Sequence, residues 1–110
     1  MKTKYDVVII GFGKAGKTLA AKLAKFGKSV ALIEKEAKMY GGTCINVGCI
    51  PSKRLITDAA NSPKGEFPEK AEYYKNAIEE KKKLTAALRK ANYDKLVQVG
   101  VDVVGGAASF

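Results

Sequence analysis

The feature that most limits what this chain can fold into is a set of three glycines, Gly11, Gly13 and Gly16, set between a β-branched apolar run and an amphipathic stretch. Val7-Val8-Ile9-Ile10 is continuous and apolar, so Tyr5 to Ile10 reads as a buried strand that stops at Gly11. From Lys14 to Phe26 the apolar residues Ala15, Leu19, Leu23 and Phe26 recur at helical spacing, lysines take the other face, and Gly27 is placed to end the helix. Ser29 to Ile33 reads as a second strand, closed by Glu34. A strand, a short helix and a strand within 34 residues form a βαβ unit with parallel strands and a right-handed crossover. The fold class is α/β.

The glycines spell G-x-G-x-x-G at the one place where that pattern has meaning, between a strand and a helix. The first permits a tight turn, the second lets a pyrophosphate approach the backbone, and the third lets helix and strand pack closely. An anion then sits on the helix N-terminus, where unpaired N–H groups and the helix dipole favour negative charge. Glu34 lies 18 residues after Gly16, where a carboxylate can accept hydrogen bonds from the ribose of an adenosine half. FAD and NAD both suit this arrangement. The same residues also satisfy a rival pattern, because Gly11 to Thr18 reads G-x-x-x-x-G-K-T, the phosphate loop of nucleoside triphosphatases. There Lys17 would hold the terminal phosphates and Thr18 a Mg²⁺ ion. A bound dinucleotide explains all three glycines and makes Lys17 and Thr18 plain helix residues, whereas a triphosphatase leaves Gly13 unexplained.

The two cysteines fall in Gly41-Gly42-Thr43-Cys44-Ile45-Asn46-Val47-Gly48-Cys49-Ile50-Pro51-Ser52-Lys53. Zinc knuckles use two such pairs, and no other soft ligand exists in a chain with no histidine, so no metal site is expected. The lack of histidine also removes Ser-His and Cys-His nucleophiles. A disulfide is the expected state. Residues five apart on an ideal helix have Cα atoms about 8–9 Å apart, beyond the roughly 7 Å a disulfide tolerates, so the segment has to bend, and Gly48 allows it. A strained small loop raises a disulfide's reduction potential, and a helix N-terminus near Pro51 with Lys53 one turn on lowers a thiol pKa.

Tyr40 to Lys53 reads as irregular. Pro51 suits the first turn of a helix that Lys53 to Ala60 continues until Asn61-Ser62-Pro63-Lys64-Gly65 breaks it. A long helical pattern runs from Glu69 to about Lys95, interrupted at Lys81-Lys82-Lys83, and Val99 to Val104 reads as a third strand. No run approaches the length of a membrane span, and the cytoplasm is the expected address. The net charge of +9 is spread over segments of mixed sign without interleaved aromatics. It reads as solvated helix faces plus attraction for an anionic dinucleotide, not as a nucleic-acid surface.

Taken in order, the G-x-G-x-x-G at 11–16, Glu34, Gly-Gly-Thr-Cys at 41–44, Gly-Cys-Ile-Pro-Ser-Lys at 48–53, and Val101-Asp102-Val103 with Gly106-Ala107-Ala108-Ser109-Phe110 resemble the class I pyridine nucleotide-disulfide oxidoreductases. That family includes glutathione reductase, dihydrolipoamide dehydrogenase and mercuric reductase. The resemblance covers essentially the whole chain, and the wording around Gly11 to Leu19 and Tyr40 to Cys44 is most similar to the reactive-chlorine-resistance branch. It implies that residues 1–110 are the Rossmann-like N-terminal part of an FAD-binding domain. The rest of that domain, the NAD(P) domain and the dimerisation domain lie outside it, and the chain alone is expected to be inactive. The implied FAD site comprises Gly11, Gly13, Gly16, Glu34, Lys35, Thr43, Lys53 and Ala107. The implied catalytic residues are Cys49 facing the flavin, Cys44 as the interchange thiol, and Lys53 beside the isoalloxazine ring. The resemblance further implies NAD(P)H as electron donor, a small-molecule or metal-ion oxidant as acceptor, and a homodimeric parent enzyme.

Overall fold

A computed structural model of the chain describes residues 2–110. Three parallel strands, β1 (Val7–Ile10), β2 (Val30–Glu34) and β3 (Asp102–Gly105), form one sheet in the order β1-β2-β3. Val7 pairs with Val30 and Ile10 with Ile33, while Ala31 pairs with Asp102 and Glu34 with Gly105. The strands therefore end together, and the turns that follow β1, β2 and β3 gather at one edge.

Helix α1 (Lys14–Lys25) makes the first crossover. It ends where Gly27 (φ +81°) sits after the cap residue Phe26, with the Gly27 N–H on the Ala24 carbonyl and the Lys28 N–H on the Leu23 carbonyl. This is a Schellman ending, in which a left-handed glycine lets two late carbonyls find donors. Phe26 is thus the cap and not the last helical residue. β1 starts at Val7 and not at Tyr5, since Asp6 uses its carboxylate to accept the Ser29 N–H at 2.8 Å and Tyr5 donates its hydroxyl to Asp102 at 2.9 Å.

The second crossover departs most from the sequence expectation. A 3-10 turn (Ala37–Met39) precedes the stretch expected to be irregular, which itself contains a one-turn helix α2 (Thr43–Asn46) and the start of α3 (Cys49–Ala60). Helix α4 then runs unbroken for 32 residues, Phe67–Gln98, with Pro68 in its first turn. The lysine run at 81–83 does not interrupt it. Lys82 and Lys83 face solvent, Lys83 pairs with Glu80 at 3.3 Å, and lysine is a good helix former. The third strand starts at Asp102 and not at Val99 because a second Schellman ending intervenes. Gly100 takes φ +92°, its N–H meets the Val97 carbonyl, and the Val101 N–H meets that of Leu96.

Right-handed crossovers in one direction put α1 and α4 on one face of the sheet. Between them and the strands lies the core of Ile9, Phe12, Ala20, Val30, Leu32, Leu96 and Val101. On β1 the alternate residues Val8 and Ile10 point to the other face and are 52% and 58% exposed. Among the described residues, no helix is long and apolar enough to cross a membrane.

Candidate functional site: a phosphate turn joined to a dithiol

Each fingerprint glycine has a distinct surrounding. Gly11 takes φ +102°, which makes the turn out of β1. A Cβ on Gly16 would stand 2.4 Å from the Gly11 carbonyl oxygen and 3.2 Å from Ile9 Cγ2, so α1 packs on β1 at a distance only glycine permits. Gly13, the residue before α1, has no atom within 4 Å of its would-be Cβ. Its open side is where a pyrophosphate would come against the backbone.

Next to this turn is a cleft of about 310 Å³ lined by Gly11, Ile33, Glu34, Lys35, Gly106 and Ala107 among others. Four residues named from the sequence, Gly11, Glu34, Lys35 and Ala107, meet here, because β1 and β3 flank β2 and all three end at this edge. The Glu34 carboxylate accepts the Phe12 N–H at 3.0 Å on Oε2 and the Glu36 N–H at 3.2 Å on Oε1. A carboxylate has about four acceptor positions, so the two backbone bonds orient Glu34 and leave capacity for hydroxyl donors in the cleft. The residues present fit the ribose and pyrophosphate of a dinucleotide.

The other side of the turn is covered by a strap, Tyr40-Gly41-Gly42. Gly41 and Gly42 take φ +92° and +95°. A Cβ on Gly42 would lie 2.8 Å from Gly13 Cα and 3.3 Å from the Lys14 nitrogen, so the strap rests directly on the start of α1. The Tyr40 ring stacks between Phe12 (centroids 5.1 Å apart) and Tyr93 of α4 (5.5 Å). Asn46 donates its side-chain N–H to the Tyr40 carbonyl at 2.9 Å and to that of Gly42 at 2.8 Å. Neither the Gly42 contact nor the roles of Tyr40 and Asn46 follow from spacing, though two adjacent glycines before a cysteine were a visible sign of a tight backbone approach.

Lys17 and Thr18 both bond to backbone carbonyls. The Lys17 ammonium donates to the Gly41 carbonyl at 3.1 Å, and the Thr18 hydroxyl donates to the Lys14 carbonyl at 2.6 Å, one turn back along its own helix. These contacts suit the reading of Thr18 as a plain helix residue and give Lys17 a partner in the strap.

The strap leads straight into the dithiol. Cys44 lies in α2 and is half-buried, and Cys49 is exposed at the first position of α3. Gly48 (φ −109°, ψ −103°) breaks the chain between them, which is the bend the cysteine spacing demanded. Where the sequence pointed to a disulfide, the structure holds two free thiols side by side. Hydrogen bonding with the Cys49 side chain, then burial, push the Cys44 thiol above its ordinary range, against an opposing pull from Lys14. For Cys44 the neighbouring sulfur outweighs the opposing pulls of Lys14 and of the Cys49 N–H at the start of α3. In reduced protein, Cys49→Ala is therefore expected to move the midpoint of Cys44 alkylation to lower pH. An unchanged pH–rate curve for iodoacetamide would contradict that. Thr43 and Lys53 are both exposed, Thr43 at the first position of α2 and Lys53 in the second turn of α3.

Residues 5–106 match the family described as pyridine nucleotide-disulphide oxidoreductase. The chain belongs to this family. Within the pyridine nucleotide-disulphide oxidoreductases it is 48% identical over 108 residues to the probable oxidoreductase RclA of Escherichia coli K12, covering 97% of this chain and 22% of RclA. It is 52% identical over 59 residues to the dihydrolipoyl dehydrogenase of Corynebacterium glutamicum, covering 54% of this chain and 12% of that enzyme. Among solved structures it resembles the Cu(II) complex of HOCl-induced flavoprotein disulfide reductase RclA from Escherichia coli, with TM-score 0.84, 48% identity and coverage of 99% of this chain and 23% of that one. The chain thus spans under a quarter of the length of these relatives. Its parallel β-α-β start is the N-terminal Rossmann-like region of such oxidoreductases, as the sequence resemblance implied.

Proposed function

We propose that residues 1–110 are the N-terminal, FAD-binding and redox-dithiol segment of an NAD(P)H-dependent flavoprotein disulfide oxidoreductase, incomplete as a domain and inactive alone. What carries this reading is the contact of Gly42 with Gly13, which puts a cysteine pair one turn of chain away from a phosphate-binding turn. Gly11, Gly13 and Gly16 would receive the pyrophosphate at the start of α1, and Glu34, Lys35 and Ala107 the adenosine half, with Thr43 and Lys53 toward the flavin. FAD bound there supplies the capacity to take a hydride from NAD(P)H as two electrons and hand them on to a disulfide.

The chain's own part is to store and release those electrons. Cleavage of a Cys44–Cys49 disulfide takes up two electrons and two protons and yields the two thiols. An acceptor that removes them restores the bond. Cys49, at the start of α3, is the thiol toward the flavin, Cys44 the one that meets substrate, and Lys53 a charge near the ring system. The acceptor is a small-molecule or metal-ion oxidant; the Cu(II) complex among the similar structures supports keeping metal ions in that class. The parent protein is a cytoplasmic homodimer on this reading.

A visible spectrum of the full-length protein, titrated anaerobically with NADH or NADPH beside its Cys49→Ser variant, is the test. A flavin spectrum that gains a long-wavelength band on reduction, absent from the variant, is the expected result. A colourless protein, or a band that survives in Cys49→Ser, would contradict the proposal.

A further inference from the structure

Three successive carbonyls of the strap each accept a hydrogen bond from a side-chain nitrogen. Those of Tyr40 and Gly42 are served by Asn46, which lies within the redox segment itself. The middle one, Gly41, is served at 3.1 Å by Lys17, which comes from α1 on the phosphate side. With both glycines in left-handed backbone, the strap's path is set by what its carbonyls face. Lys17 is the side chain that ties that path to the helix whose N-terminus is the phosphate turn.

We propose that Lys17 is a positioning residue for the dithiol: its ammonium anchors the strap through the Gly41 carbonyl and supplies a positive charge that favours the Cys44 thiolate. This inference rests on the function proposed above. It gives Lys17 a use that neither a plain helix residue nor a phosphate-loop lysine would have.

The charged surroundings are consistent with it. Burial first, then Lys14 and Lys95, hold the Lys17 ammonium below its ordinary value, while Cys44 acts on it in the opposite direction, as a thiolate close enough to feel the charge would. The groups that bear on Cys44 are Cys49 from α3 and Lys14 from the same turn of α1 as Lys17; Lys17 is linked to it through the effect of Cys44 on the Lys17 ammonium, with Lys95 of α4 behind Lys17. Lys14 is exposed and Lys17 half-buried, so Lys17 is the less screened of the two cations.

The experiment uses the full-length flavoprotein in a Cys49→Ala background, reduced, with Cys44 alkylation by iodoacetamide followed against pH. Lys17→Met and Lys17→Gln are expected to raise the midpoint and slow alkylation at neutral pH by roughly three- to eightfold, the effect of one partly screened charge at side-chain range. Lys17→Arg, which keeps charge and donor, is expected to restore the wild-type curve. Should Lys17→Met fail to fold, Lys17→Gln against Lys17→Arg carries the same comparison. Coincident curves for Gln and wild type, or an Arg variant that titrates with Met, would overturn the assignment. Flavin content is recorded on the same samples. A protein without flavin refutes the proposed function, while the Cys44 curves still decide the role of Lys17.

Discussion

Gly42→Ala is expected to lift the strap off the phosphate turn, lower the thermal midpoint by several degrees and empty the full-length protein of flavin. Two costs add at this position. A non-glycine residue at φ +95°, ψ −177° costs about 1–3 kcal/mol, because that region is essentially closed to side chains. The added methyl would also meet Gly13 Cα at 2.8 Å and the Lys14 nitrogen at 3.3 Å, both backbone atoms of a helix start that cannot rotate away, and overpacking of that kind costs about 1–3 kcal/mol. The total is of order 2–6 kcal/mol, concentrated where the pyrophosphate would bind. Gly41→Ala is the control. Its φ is nearly the same at +92°, but the close atom is Ile45 Cδ1 at 2.8 Å, the free end of a side chain that can change rotamer. It should suffer the backbone cost with little of the steric one. Thermal melts that follow protein signal and flavin release together check the ranking, and equal losses in the two variants would mean that the Gly42–Gly13 contact does not hold the strap.

Gly13→Ala should separate binding from folding. The backbone there (φ −78°, ψ −180°) is open to any residue and no atom lies within 4 Å of the new methyl, so unfolding by urea should stay within about 0.5 kcal/mol of wild type. Flavin affinity should fall at least roughly tenfold, because the methyl occupies the side from which a pyrophosphate reaches the backbone. Gly16→Ala should do the reverse in order of cause. Its methyl would collide with the Gly11 carbonyl at 2.4 Å, so stability falls first, by about 1–3 kcal/mol, and flavin is lost with the structure. If Gly13→Ala bound flavin as wild type does, Gly13 would not face the ligand and the dinucleotide assignment of the turn would fail.

The parts of this fold that could be read from the sequence are those fixed by neighbours along the chain. The run Val7 to Ile10, the glycine turn, the lysine-faced helix and the Gly27 terminator each depend on a few adjacent residues, and all four stand where the pattern put them, within a residue or two. Errors came where a local signal had two meanings. Lys81-Lys82-Lys83 looked like an interruption and is a solvated stretch of one helix. Val99-Gly100 looked like the entry to a strand and is a helix ending, because Gly100 adopts a left-handed backbone that a parallel strand cannot use. The candidate site divides the same way. Gly11, Gly13, Gly16, Glu34 and the cysteine pair follow from motif spacing, and Gly11, Glu34, Lys35 and Ala107 do line one cleft. That Lys17 reaches Gly41, or that Gly42 rests on Gly13, depends on two turns meeting across the sheet edge, and no periodicity carries that information. The choice between dinucleotide and triphosphate turns rested on Gly13, and the family match agrees with it.

The sheet order has a kinetic consequence. β1, α1 and β2 are consecutive, so their pairing closes a short loop, whereas everything from Lys35 to Val101 lies between β2 and β3. Closing so long a segment costs chain entropy before any contact repays it, and non-local parallel pairing is slow for that reason. Helix α4 shortens the search, since its last turns carry Leu96 into the core immediately before the Gly100 turn delivers β3 beside β2. The first βαβ unit should thus gain protection from hydrogen exchange ahead of β3. The strap, whose Tyr40 ring needs Tyr93 of α4 as its outer wall, would be seated only in that last step, so the dithiol comes to rest against the phosphate turn as folding ends.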